Sequence, residues 1–139
     1  RLERLEAQAQ TQAAPSPFPR LGISLSAIEE FVAENGGEEK LKGMTTTDVC
    51  MDIVLPATSS GKTSYCELLL GRASGGHPGV GEATVFISHA WKYEFVSVVN
   101  ALRSHFRDRP NRHFLWFDVM TNNQHLSPQR PFDWCKWPD

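Results

Sequence analysis

Cysteine is scarce in this chain and odd in number: Cys50, Cys66 and Cys135 are the only three in 139 residues. A disulfide framework needs more thiols at closer spacing, so these read as free thiols of a reducing, cytoplasmic compartment. Long hydrophobic runs are missing too. No stretch approaches the length of a membrane span, and the charged start over residues 1–14 lacks the pattern of a signal peptide. An excess of positive charge is also absent. Fourteen Lys and Arg stand against sixteen Asp and Glu, a formal net charge of −2, and no basic stripe forms. Nucleic acid and membrane are thereby set aside as partners. Metal-ligand spacings of the Cys-x-x-Cys or His-x-x-x-His kind do not occur.

What is present is material for a core, with hydrophobic residues at 40%. The chain begins at Arg1 rather than Met and stops after Trp137-Pro138-Asp139, and so reads as a piece of a longer protein. Residues 1–20 divide into a polar, helix-favouring stretch without a sustained heptad and a stiff Pro-rich linker. Residues 21–82 read as a helical N-terminal extension. Ser26-Ala-Ile-Glu29 has the form of a capping box, opening a helix that passes Phe31 and stops at Gly36-Gly37. Thr45-Thr-Thr-Asp48 caps a second helix carrying Val49, Ile53 and Val54 and ending at Pro56. Ser64-Tyr-Cys-Glu67 opens a third through Leu68–Leu70, followed by a Gly-rich loop over 71–81.

From residue 83 the pattern changes. Thr84–Ser88 is apolar without alternation, as in a parallel strand buried on both faces. Phe95, Val98, Val99, Leu102 and Phe106 then fall at helical spacing. After a break at Arg109-Pro110-Asn111, Phe114–Phe117 reads as a second strand. The unit is a parallel β-α-β crossover, and the fold class is α/β. Functional loops of such folds lie at the carboxyl edge of the sheet. Ser88, His89 and Trp91 follow the first strand there, and Asp118, Asn123 and His125 follow the second. Together they suit a polar pocket with aromatic walls for a nucleotide-like ligand, with Ser88, His89, Trp91, Asp118 and Asn123 as its binding residues. The competing reading makes Trp91, Trp116 and Phe117 core and gives the Asn pair a role in turns.

Other chemistries are weaker. Ser88, His89 and Asp118 are the residue types of a hydrolytic triad, but adjacent strand residues point to opposite sides. His89, His125 and Asp118 are metal-ligand types without a supporting spacing. Ser60-Gly-Lys-Thr63 resembles the end of a phosphate loop around Lys62. Pro56 stands where that motif needs its first glycine, and the Thr45–Asp48 cap makes Ile53–Leu55 helical rather than a strand.

Val85-Phe-Ile-Ser-His-Ala-Trp91, followed by a helix and then by Leu115-Trp-Phe-Asp118, resembles the Toll/interleukin-1 receptor (TIR) family. The pairing with Thr121-Asn-Asn-Gln-His125 is also similar to the related heterokaryon-incompatibility domain. TIR-like proteins of algae and other protists share a Thr-Thr-x-Asp-x-Cys stretch, here ending at Cys50, ahead of the Ser-His-Ala-Trp strand. The TIR resemblance covers about residues 83–125, and the protist one reaches back to about residue 40. It implies a partial flavodoxin-like parallel sheet with the first strand central, preceded by the helical segment and truncated over 83–139. It also implies a signalling module that associates with itself or with another TIR-like domain. In some members it implies hydrolysis of NAD by a glutamate near a Trp-Cys-x-x-Glu segment. Ser88, His89, Trp91 and Asp118 then stand at pocket positions, with NAD or a related nucleotide as ligand. Trp134-Cys-Lys-Trp137 is not followed by Glu, so the resemblance carries no catalytic residue into this chain. With no third strand, one side of the first strand should expose unpaired backbone, and the chain should fold poorly alone.

Overall fold

The computed structural model describes residues 21–126. The polar helix and Pro-rich linker expected over 1–20, Cys135 and the Trp134–Trp137 segment lie outside the described residues.

Four strands of three residues each form one sheet: β1 (Leu21–Ile23), β2 (Val80–Glu82), β3 (Val85–Ile87) and β4 (Leu115–Phe117). Their order is β2-β1-β4-β3. β3 and β4 are parallel, with Val85 opposite Leu115 and Ile87 opposite Phe117. The crossover between them carries a helix, Phe95–Phe106. This is the β-α-β unit expected from the sequence.

The rest of the sheet departs from that expectation. β1 runs antiparallel to both β2 and β4, so the sheet is mixed rather than parallel. The segment 21–82 begins and ends in strand and is not wholly helical. The first strand of the crossover, β3, lies at the edge of the described sheet instead of its centre. Two causes hid β1 and β2. Three residues are too few to display a period. Gly81 also falls at the end of a stretch that reads as a Gly-rich loop, whereas the glycines of both strands serve close packing. A Cβ on Gly22 would stand 2.8 Å from the Phe114 carbonyl carbon, and one on Gly81 2.8 Å from the Phe114 ring. Glycine is what permits such approach between backbones. β1 gives the second edge of β4 its backbone partner, which is why all three β4 residues can be buried.

Among the described residues seven α-helices and one π-helical turn, beginning after β1, cover the sheet. α1 (Leu25–Glu34) is capped by Ser24, whose Oγ accepts from the Ala27 N–H at 3.1 Å, and not by Ser26. The start one half-turn earlier brings Leu25 into the core with Ile28, Phe31 and Val32. Glu29, the expected cap partner, instead accepts from Arg103 Nε at 2.8 Å. α2 (Gly37–Leu41) follows. α3 (Thr46–Val49) has the expected capping box of Thr45 and Asp48. It widens into a π-helical turn, Cys50–Val54, and continues as α4 (Leu55–Ala57), passing through Pro56 instead of stopping before it. The Leu55 N–H donates to the Cys50 carbonyl, five residues back. A proline ring clashes with the carbonyl four residues behind it, and the widened turn relieves that conflict. α5 (Tyr65–Arg72) has the expected Ser64–Glu67 capping box. α6 is the crossover helix Phe95–Phe106, and α7 (Asp118–Thr121) follows β4 directly.

One hydrophobic cluster runs through all of this. It joins Ile23, Ile28 and Phe31 to Val85, Ile87, Phe95, Leu102, Leu115 and Phe117. Phe31 meets the rings of Tyr65 and Phe95 edge-on, at 5.1 and 5.8 Å between centroids. The 21–82 segment and the crossover unit therefore share a core. Arg103 of α6 ties the same elements at the surface, to Glu29 at 2.8 Å and Glu38 at 2.7 Å. Among the described residues no helix is long and apolar enough to cross a membrane.

Candidate functional site

The loop leaving β3 is held by the start of α3. A helix begins with N–H groups that have no partner inside it. Here the Thr46 N–H donates to the Tyr93 carbonyl at 3.0 Å and the Thr47 N–H to the Trp91 carbonyl at 3.2 Å. The Asp48 N–H goes to Thr45 Oγ1 at 3.1 Å. The Thr47 hydroxyl adds a second bond to the Trp91 carbonyl at 3.3 Å. The Thr-Thr-x-Asp and Ser-His-Ala-Trp motifs, over forty positions apart, thus form one hydrogen-bonded unit.

Glu94 closes the same region from the other side. Its carboxylate accepts from the Gly43 N–H at 2.7 Å and from the Ser97 hydroxyl at 2.8 Å. The Gly43 bond, with that of Ser97 behind it, holds this carboxyl below the usual carboxylate range. The Phe95 N–H donates to the Met44 carbonyl at 2.9 Å, fixing where α6 begins.

Within the loop, Ser88 is exposed and His89 half-buried, while Trp91 is buried. The His89 ring lies stacked on Trp91 with centroids 6.0 Å apart, and edge-on to Phe117 at 5.0 Å. Two aromatic neighbours thus pack against the imidazole.

The loop after β4 turns elsewhere. Asp118, Asn122 and Gln124 are buried. Gln124 Nε2 donates to the Asp118 and Asn122 carbonyls at 3.0 and 3.3 Å, closing the end of α7. Asn123 Nδ2 donates to the Lys62 carbonyl at 2.8 Å, and its Oδ1 accepts from the His125 N–H at 2.9 Å. His125 Nε2 lies 2.7 Å from Thr58 Oγ1. The Thr58 hydroxyl already donates to the Val54 carbonyl at 2.7 Å, so the network assigns the donated proton to Nε2. These bonds latch the 58–63 loop to the loop after β4.

A cavity of about 490 Å³ opens between the end of β3 and the flank of α6. Ser88, His89 and Tyr93 line it from the loop, and Ser97, Val98, Ala101, Ser104 and His105 from the helix. Of the five residues expected to share a pocket, Ser88 and His89 reach this one. Trp91 backs His89 from within the core. Asp118 lies buried at the start of α7, and Asn123 holds Lys62. The loop after β4 contributes no residue to this cavity, because α7 begins immediately at Asp118 and carries the chain toward the 58–63 loop. The helical side of the cavity was not among the expected pocket residues. Its signal was legible in part: Ser97, Ala101 and Ser104 repeat at the spacing of one helix face, beside the apolar stripe.

The alternative chemistries change accordingly. Ile53–Leu55 lies in the helical stretch, and Lys62 sits in a left-handed conformation, φ 52°, with its carbonyl engaged by Asn123. The strand that a phosphate loop needs ahead of it is therefore absent there. Among the described residues no group of three or more His, Cys, Asp or Glu is placed to hold a metal ion. No protein-family model, curated protein or solved structure matches the chain.

Proposed function

We propose that this chain is part of a TIR-like signalling and assembly module whose ligand pocket, of nucleotide type, lies at the carboxyl end of β3. The observation that carries the reading is the cavity bounded by Ser88 and His89 at the mouth of a parallel β3–α6–β4 crossover. Its size falls within the range of small-molecule sites, and its lining is largely apolar with a few convergent polar groups, as such sites require. The bonded pairing of the Thr46–Cys50 and Ser88–Trp91 motifs supports the same reading, since it gives both a shared task in shaping that mouth. The finer, flavodoxin-like placement belongs to this proposal as well. A strand added beside β3 would turn the present edge into an interior position.

The test is titration of NAD and ADP-ribose into the full chain by calorimetry, alongside light scattering for self-association. Binding should weaken roughly tenfold in His89→Ala, the loss of about 1.4 kcal/mol of ligand contact. If neither compound binds and the protein stays monomeric at all concentrations, the proposal fails. Release of nicotinamide on incubation with NAD would move the module into the hydrolase class. The described cavity lining contains no carboxylate to perform that step.

A further inference from the structure

Resting on the pocket proposed above, we infer that the β3–α6 cavity receives the uncharged, ring-and-hydroxyl part of its ligand, a nucleoside rather than a phosphate group. The argument begins with charge. Among the described residues neither Lys nor Arg lines the cavity, so none of them offers a phosphate a fixed cation there. The other common source of attraction for anions is a helix N-terminus, with its free N–H groups and positive dipole end. α6 begins beside this cavity, and Tyr93 and Ser97, on either side of its cap residue Glu94, both line it. That position is already taken by negative charge. The Glu94 carboxylate, held by Gly43 and Ser97, stands at the start of the helix. A phosphate entering there would meet a carboxylate instead of a cation. Among the described residues no carboxylate lines the cavity itself.

The groups that do line it have one character. Ser88, Ser104 and Tyr93 carry hydroxyls, a group that both donates and accepts, and Ser97, whose proton goes to Glu94, adds an acceptor. The imidazoles of His89 and His105 add ring surface. Val98, Ala101 and Leu102 supply apolar floor. A heterocycle with an attached sugar satisfies hydroxyls, ring edges and apolar floor together. Phosphates attached to such a ligand would extend into solvent.

Adenosine, AMP and ADP, titrated separately into the full chain, test this. The expected result is equal affinity within about threefold, unchanged between roughly 50 and 500 mM salt, because screening removes only charge-based attraction. Ala101→Trp, on the exposed side of α6, should reduce all three affinities at least tenfold while leaving the thermal transition in place. Three results overturn the inference while leaving the pocket proposal standing or relocating it. ADP could bind ten times tighter than adenosine with strong salt dependence. NAD could bind while adenosine does not. Ala101→Trp could leave adenosine affinity unchanged. Absence of binding by all of these compounds, NAD and ADP-ribose included, removes the pocket proposal itself.

Discussion

Cys66 is fully buried, and its thiol is pushed up to about 12 by that burial, with the neighbouring Glu67 carboxylate adding to the shift. Thiolate is the reactive form, so Cys66 at neutral pH is both shielded and unreactive. Cys50 is equally inaccessible. Both should resist a thiol reagent such as iodoacetamide in the native protein and label rapidly in denaturant. Site-resolved mass spectrometry checks this, and fast native labelling of Cys66 would contradict it. Free thiols were expected from the cysteine count alone. Their burial follows from the elements that carry them, a π-helical turn and α5, which face the same core. At the same scale, His89 was legible as a pocket residue because the strand ends there. Asn123 was not legible as the partner of Lys62, since nothing in either local sequence specifies a contact between two loops 61 positions apart.

At the scale of elements, the clasp between α3 and the β3 loop controls the site's mouth. Thr45→Ala removes the cap oxygen for the Asp48 N–H and should cost about 1 kcal/mol of stability. Its more specific effect is at a distance. Chemical shifts of His89 and Trp91 should move, because the Thr46 and Thr47 N–H groups that fix their loop belong to the same helix start. Shifts confined to residues 44–50 would separate the cap from the site. Glu94 gives the same region a dependence on pH. Its carboxyl titrates lower in the folded protein than its usual value of 4.5, so its contribution is complete above that value. The contribution is lost as pH falls through the lower folded value. The Gly43 amide resonance should therefore report release of its bond below about pH 4.5; a resonance that stays constant down to pH 2 would show that the bond carries no such linkage. Capping boxes at Thr45 and Ser64 were legible because a cap is a local contract among four residues. α1 starts two positions ahead of the capping pattern at Ser26, since Ser24 and Ser26 both offer a cap oxygen. Burial of Leu25 decided between them.

For the whole molecule, the shared core predicts one cooperative unit. Ile23 lies in β1, fully buried, between the N-terminal helices and β4. Ile23→Ala should cost about 2–5 kcal/mol, as deletion of buried side-chain volume does. Circular dichroism and tryptophan fluorescence should shift to lower urea together. Two separated transitions would show that 21–82 and the crossover unit fold independently. By itself the sequence determined the crossover unit, the two capping boxes and the strand end carrying Ser88 and His89. Each is written in residues near one another along the chain, as a hydrophobic period, a cap spacing or a change from apolar to polar. Tertiary structure alone decided that β1 lies between β2 and β4, that β3 stands at the edge of the described sheet, and that the cavity beside Ser88 and His89 is completed by α6. Strands of three residues carry no period, and a cavity belongs to the gap between elements, which no single stretch of chain encodes.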